Sequence, residues 1–298
     1  VLRTLLAAVV GLSVSSGHAA NRHVETVAAP SFKAVAFDYF VLFNPDSVVP
    51  TAERVFPGKG REFTNLWRTR QFEYSWLRSI TDHYVDFFTV TEDALVYAAH
   101  ALRLDLTEEG RRQLLDAFLH LEPWPDARGA LERLRSSGVQ VITLTNFSPI
   151  MLEENARHAG LTSLFDALIS TDATRTFKPD PRAYALGVEY LHQPKEEILF
   201  AAFGGWDAAG AKSFGYPTIW INRFDQPVEE LGIRPDRMSR DMSGLLEFAL
   251  PQVEQPAQEA RSQSSDRRPA NVPTTTNIAA GKRCPTSWCA GSSIGQMN

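Results

Sequence analysis

The sequence predicts an α/β fold: a Rossmann-like parallel sheet flanked by helices, with a helical bundle inserted as a cap after the first strand. Three observations predict it. Short runs of branched and small apolar residues recur, each ending in a polar residue, as strands buried on both faces of a parallel sheet do. Helical spacing fills the gaps between them, the alternation expected of right-handed crossovers. One gap, residues 46–121, carries helical periodicity with few strand signals.

Taken in order, residues 1–20 (VLRTLLAAVVGLSVSSGHAA) read as an export signal. Arg3 supplies a positive start, Leu5 to Val14 an apolar core, and Gly17-His18-Ala19 a small-x-small cleavage site. The apolar run is too short to span a bilayer comfortably. The expectation is cleavage near Ala19 and a periplasmic or secreted mature protein with no stable membrane association. A buried N-terminal helix or an anchor is the other reading. After a polar linker, Ala34 to Phe37 form a buried strand that ends in Asp38. In the insertion, Phe63, Leu66, Trp67, Tyr74, Leu77 and Ile80 make one buried helical stripe. Arg68, Phe72 and Trp76 make a second beside it, so the helix packs on two neighbours or borders a cleft. Thr91 and Thr107 are expected N-caps of helices through Leu102 and Leu119.

The alternation resumes with a helix over 126–136, which stops at Gly138. A strand over Val139 to Leu144 leads into Thr145-Asn146, and Pro149 opens a helix to about His158. Phe165 to Ser170 is a short strand, and Pro181 starts a helix to Leu191. Ile198 to Ala202 is a further strand, followed by Gly204-Gly205 and a helix from about Trp206. Pro217 to Asn222 is the last clear strand. Residues 21–45 and 122–250 thus form the core, and 46–121 the cap. Residues 251–298, rich in Pro, Gln, Ser and Thr, lack the apolar content to repay ordering and read as a disordered tail.

With 44% hydrophobic and 22% charged residues the composition is globular, and a net charge of −5 with both signs dispersed gives no nucleic-acid footprint. The scattered histidines offer no zinc pairing. The two cysteines, Cys284 and Cys289, could pair in an oxidising compartment or form a redox or metal pair, and both lie outside the core.

Polar residues fall at or just after the expected strand ends: Asp38, Thr145-Asn146, Lys178 and Asp207. In an open parallel sheet these ends line one crevice, where ligands bind. Each has a plainer reading. Asp38, Thr145 and Asp207 could be turn or cap residues, and Lys178 a solvated surface lysine.

Taken together, in this order, they resemble the haloacid dehalogenase superfamily and specifically its type II L-2-haloacid dehalogenases, over about Phe32 to Phe248. Asp38 matches the family's nucleophile and Thr145-Asn146 its second motif. Lys178 in FKPDPRAY matches the third, with Tyr184 six residues on, and Asp207 in FGGWDAAG the fourth. The insertion resembles the family's cap, within which Arg68 matches the arginine used on the substrate or the leaving halide. Phe40, Phe72, Phe87 and Trp206 match pocket-wall positions.

The resemblance implies a hydrolase with no cofactor and no metal. Asp38 would displace halide from C2 of a short L-2-haloalkanoic acid. Water would then hydrolyse the aspartyl ester, with Asp207 and Lys178 arranging that step, to give a D-2-hydroxy acid. Phe40 stands where phosphatases of the superfamily carry a second aspartate as general acid. Two departures stand out. Val41 replaces the family's Gly-Thr, removing a hydroxyl near Asp38, a bond worth about 1.5–3 kcal/mol. Ala202 and Gly204 replace polar residues of the fourth motif, where the amides of Gly204 and Gly205 are possible substitutes. An exported binding protein with little turnover, or a hydrolase of another ester or a phosphate, are the alternative readings. A homodimer through the cap's exposed side is a further expectation.

Overall fold

The computed structural model describes residues 32–250. The expected export signal, the linker before Phe32, the tail and the Cys284/Cys289 pair lie outside the described residues. Strands β1 (Ala34–Phe37), β2 (Gln140–Thr145), β3 (Ala167–Ser170), β4 (Ile198–Ala202), β5 (Thr218–Ile221) and β6 (Arg237–Ser239) form one sheet in the order β3-β2-β1-β4-β5-β6. All its pairings are parallel. The chain builds outward from β1 to β3, then crosses back to lay β4 against the other side of β1. That reversal is the switch point where open sheets form their crevice.

Side chains alternate between the sheet's faces with period two. Val35, Phe37, Val141, Leu199 and Ile219 face one core. It is shared with α6 (Ala127–Ser136), α7 (Pro149–His158) and α10 (Met242–Ala249). Ala36, Ile142, Leu144, Phe200 and Trp220 face the other, against α8 (Pro181–Leu191) and α9 (Gly205–Phe214). Every residue of β1 is buried, which is why its apolar pattern does not alternate. Gly138 ends α6 and Gly215 caps α9, both at positive φ (78° and 109°), where a side chain would be strained.

A single turn, α1 (Tyr39–Leu42), follows β1. The helical insertion comprises α2 (Val49–Val55), α3 (Gly60–Ile80), α4 (Phe87–Ala101) and α5 (Glu108–Leu119). Thr107 caps α5 as expected, accepting the Gly110 N–H at 3.0 Å. Thr91 does not cap α4. Asp86 does, because its carboxylate accepts the N–H groups of Phe88 and Thr89.

The seam of α3 also differs from its apolar stripe. Leu77 and Ile80 are 56% and 82% exposed, while Gln71 and Ser75 are buried beside Phe63 and Trp67. Those polar groups are satisfied locally: Gln71 donates to the Thr91 hydroxyl at 2.9 Å, and Ser75 to the Gln71 carbonyl at 2.7 Å. Strand β6 and α10 follow the last strand that the sequence makes evident. The three residues of β6 are Arg, Met and Ser, too short and polar to register as an apolar run. No helix among the described residues is long and apolar enough to cross a membrane.

Candidate active site

Strand β1 ends at Phe37, beside Thr143 and Ala201, and β2 and β4 run one or two residues further. This register brings Asp38, Thr145 and the β4–α9 turn to one edge. Asp38 does cap α1, accepting the Phe40 N–H through Oδ1 at 3.0 Å. Its Oδ2 accepts from Lys178 Nζ at 2.8 Å and, at a longer 3.5 Å, from the Thr145 hydroxyl. The capping and chemical readings of Asp38 are therefore compatible: the cap fixes one oxygen while the other meets the lysine. Val41 is fully buried, and the Phe40 amide supplies a backbone hydrogen bond to the carboxylate.

Lys178 is 0% exposed, which rules out the solvated-lysine reading. Its Nζ also donates to Asp207 Oδ2 at 2.7 Å. Asp207 sits in the first turn of α9 and takes a second bond, from the Tyr184 hydroxyl, at 2.7 Å. Tyr184, Asp207, Lys178 and Asp38 thus form one continuous chain. Burial alone would lower the Lys178 pKa; the charges of Asp207 and Asp38 outweigh it and hold the ammonium above its ordinary value. Burial pushes Asp207 up to about 6, against the pull of Lys178 and with the help of Asp38. Burial, reinforced by Asp207, holds the Tyr184 phenol well above its usual range.

Asn146 acts on the lysine's backbone. Its Oδ1 accepts the Lys178 N–H at 2.9 Å and the Thr171 hydroxyl at 3.3 Å. Arg68 reaches from α3 and bonds Asp46 at 3.0 Å, with its guanidinium 5.7 Å from the Phe224 ring. Gly210 makes room for Tyr184: a Cβ there would strike the tyrosine hydroxyl and come within 2.9 Å of Pro179. Gly210→Ala is expected to destabilise the protein by about 1–3 kcal/mol through overpacking. Adding Tyr184→Phe should return part of the loss, read as the melting temperature of the single and double variants.

A cavity of about 890 Å³ opens beside Asp38. Phe40, Arg68, Phe72, Phe87, Thr145, Asn146, Trp206 and Asp207 line it with Asp38; Lys178 and Tyr184 stand behind that wall. Phenylalanines form the apolar part of the inner wall: Phe40, Phe87 and Phe147 are 4%, 1% and 1% exposed, and Phe40 meets Phe147 edge-on at 5.1 Å. Sequence reasoning missed Phe147, Phe203, Phe224 and Asp46 as cavity residues. Phe147 and Phe203 stand directly after Asn146 and β4, a signal within reach. Asp46 meets Arg68 only because α3 folds back over the start of the insertion, 22 residues away in sequence. Among the described residues, no group of three His, Cys, Asp or Glu side chains converges as a metal site.

Fold and site define a core-and-cap α/β protein with a buried carboxylate–ammonium–carboxylate centre beneath the cap. The family model of haloacid dehalogenase-like hydrolases matches residues 32–215. The (S)-2-haloacid dehalogenase of Pseudomonas sp. (strain YL) is 43% identical over 205 residues, 68% of this chain and 88% of that protein. Haloacetate dehalogenase H-2 of Moraxella sp. (strain B) is 40% identical over 68% of this chain and 92% of its own length. The solved structure of L-2-haloacid dehalogenase from Xanthobacter autotrophicus, with chloropropionic acid covalently bound, superposes with a TM-score of 0.68 at 36% identity, over 72% of this chain and 96% of that one. The chain belongs to the haloacid dehalogenase-like hydrolases, within their L-2-haloacid dehalogenase family.

Proposed function

We propose that the protein hydrolyses L-2-haloalkanoic acids to D-2-hydroxy acids through an ester on Asp38. The observation that carries this is the Asp38 carboxylate itself, placed at a cavity beside buried phenylalanines and held by Lys178 at 2.8 Å. The covalently bound chloropropionic acid of the Xanthobacter relative supports it. An Asp38 oxygen attacks C2; the C–O bond forms as the carbon–halogen bond breaks, and halide leaves with the electron pair. The inner phenylalanines keep water from the carboxylate, which raises its nucleophilicity. Water then adds to the ester's carbonyl carbon. Asp207 takes its proton and passes it to the departing hydroxy-acid oxygen, and Asp38 returns as carboxylate by releasing the remaining proton.

The test is single turnover in ¹⁸O-water with EDTA present. Label is expected in Asp38 and not in the product; label in the product alone would sink the ester route. Phe40, packed among Phe118, Phe147 and Phe203, counts against a phosphate substrate, since the position of a second acid is filled by a buried ring.

Asp46 orients Arg68 in this scheme. Asp46→Ala is expected to lower kcat/KM about tenfold, the scale of a charge-assisted hydrogen bond. In an Arg68→Ala background the same change should add little, since Asp46 acts through the arginine. Additive losses in the double-mutant cycle would give Asp46 a separate role. A homodimer remains part of this reading, supported by the exposed Leu77 and Ile80 of α3; so does export, supported by residues 1–20 of the sequence.

A further inference from the structure

We propose that the site favours 2-halo acids with a large, uncharged apolar substituent on C2, a longer alkyl chain or an aryl ring, over 2-halopropionates. This rests on the dehalogenase reading above and names its substrate class more closely. The cavity, about 890 Å³, falls in the range of roughly 300–1,000 Å³ that encloses drug-sized ligands. A halopropionate would fill only its inner end, beside Asp38.

The cavity has a second tier of aromatic wall. Phe72 from the cap and Phe203 and Trp206 from the core are half-buried, and Phe224 is 36% exposed. Phe72 meets Trp206 edge-on at 5.3 Å, and Phe203 meets Phe224 at 5.6 Å. Gly204 joins the two sets: a Cβ there would lie 2.7 Å from Trp206 Nε1, so the bare glycine lets the indole lie over the turn. These rings keep apolar surface in contact with solvent, which a C2 substituent would cover on binding. The rim sets the sign of the tail's charge. Arg68 and Arg223 also line the cavity but are paired with Asp46 and Asp126, whereas exposed Glu229 and Glu230 would repel a second carboxylate on the substituent.

The experiment compares kcat/KM for bromide release by the full chain across 2-bromopropionate, 2-bromobutyrate, 2-bromohexanoate and 2-bromophenylacetate, with 2-bromohexanedioate as the charged control. Each buried methylene is expected to raise kcat/KM about threefold, reaching at least about tenfold between propionate and hexanoate, with the gain lost for the hexanedioate. Phe224→Ala should pull the hexanoate-to-propionate ratio toward one. A flat or falling series from an enzyme that processes bromopropionate overturns the proposal while leaving the dehalogenase reading standing. Bromide from none of the substrates would overturn both.

Discussion

Asp38→Asn is expected to lower halide release by about four orders of magnitude or more, the scale on which loss of a covalent nucleophile acts, while the protein stays folded. The amide nitrogen cannot form the ester, and the remaining oxygen carries no full charge with which to attack C2. The fold survives because of the charge count around Lys178. One buried ammonium faces two carboxylates, at 2.8 and 2.7 Å. Neutralising Asp38 leaves a balanced Lys178–Asp207 pair, so no buried charge is stranded. Halide release alongside the thermal melt checks both halves. A variant that keeps turnover would remove Asp38 from the chemistry, and one that loses its cooperative melt would make the site's charge balance structural.

Lys178→Met is expected to abolish turnover and to cost about 3–5 kcal/mol of stability, because it strands buried carboxylates without their counter-charge. It should also give stability a distinctive pH dependence. Asp207 already sits at about 6, above the ordinary 3.8, and removing Lys178 takes away the charge that restrains it. A carboxyl whose folded pKa is raised stabilises the fold below its ordinary pKa and loses that contribution as pH rises through the folded value. In the native protein that window runs from 3.8 to about 6, and in the variant it extends higher. Urea midpoints of Lys178→Met should therefore rise on acidification from pH 8 toward pH 5 more steeply than those of the native protein. Parallel pH profiles would show that the lysine does not restrain Asp207.

Much of this centre was legible in the chain. Asp38 and Thr145 close apolar runs and Asp207 follows β4 in the first turn of the next helix, and the register of a parallel sheet leaves them near one another. Lys178 was legible as a position but not as an environment. Its burial comes from the loop that Asn146 holds by the backbone, a contact spanning 32 residues. Asp46 was not legible at all, since an aspartate in a one-turn 3-10 helix looks like any surface carboxylate until α3 brings Arg68 to it. The α3 seam failed for a related reason. Helical spacing identifies stripes on a helix but not which stripe meets a neighbour, and Gln71 could be buried because Thr91 was there to pair with it.

By itself, then, the sequence determined the strand–helix alternation, the place of the helical insertion and the residues that arrive at the sheet's edge. These follow from local periodicity and chain order, which need no knowledge of neighbours. Only the tertiary structure decided that Lys178 is fully buried between two carboxylates, that Asp46 holds Arg68, and that a second aromatic tier stands above the nucleophile. Those are properties of contacts between distant segments. Desolvation and Coulomb energy depend on what surrounds a group in space, and a one-dimensional pattern carries that only where a motif has recorded it.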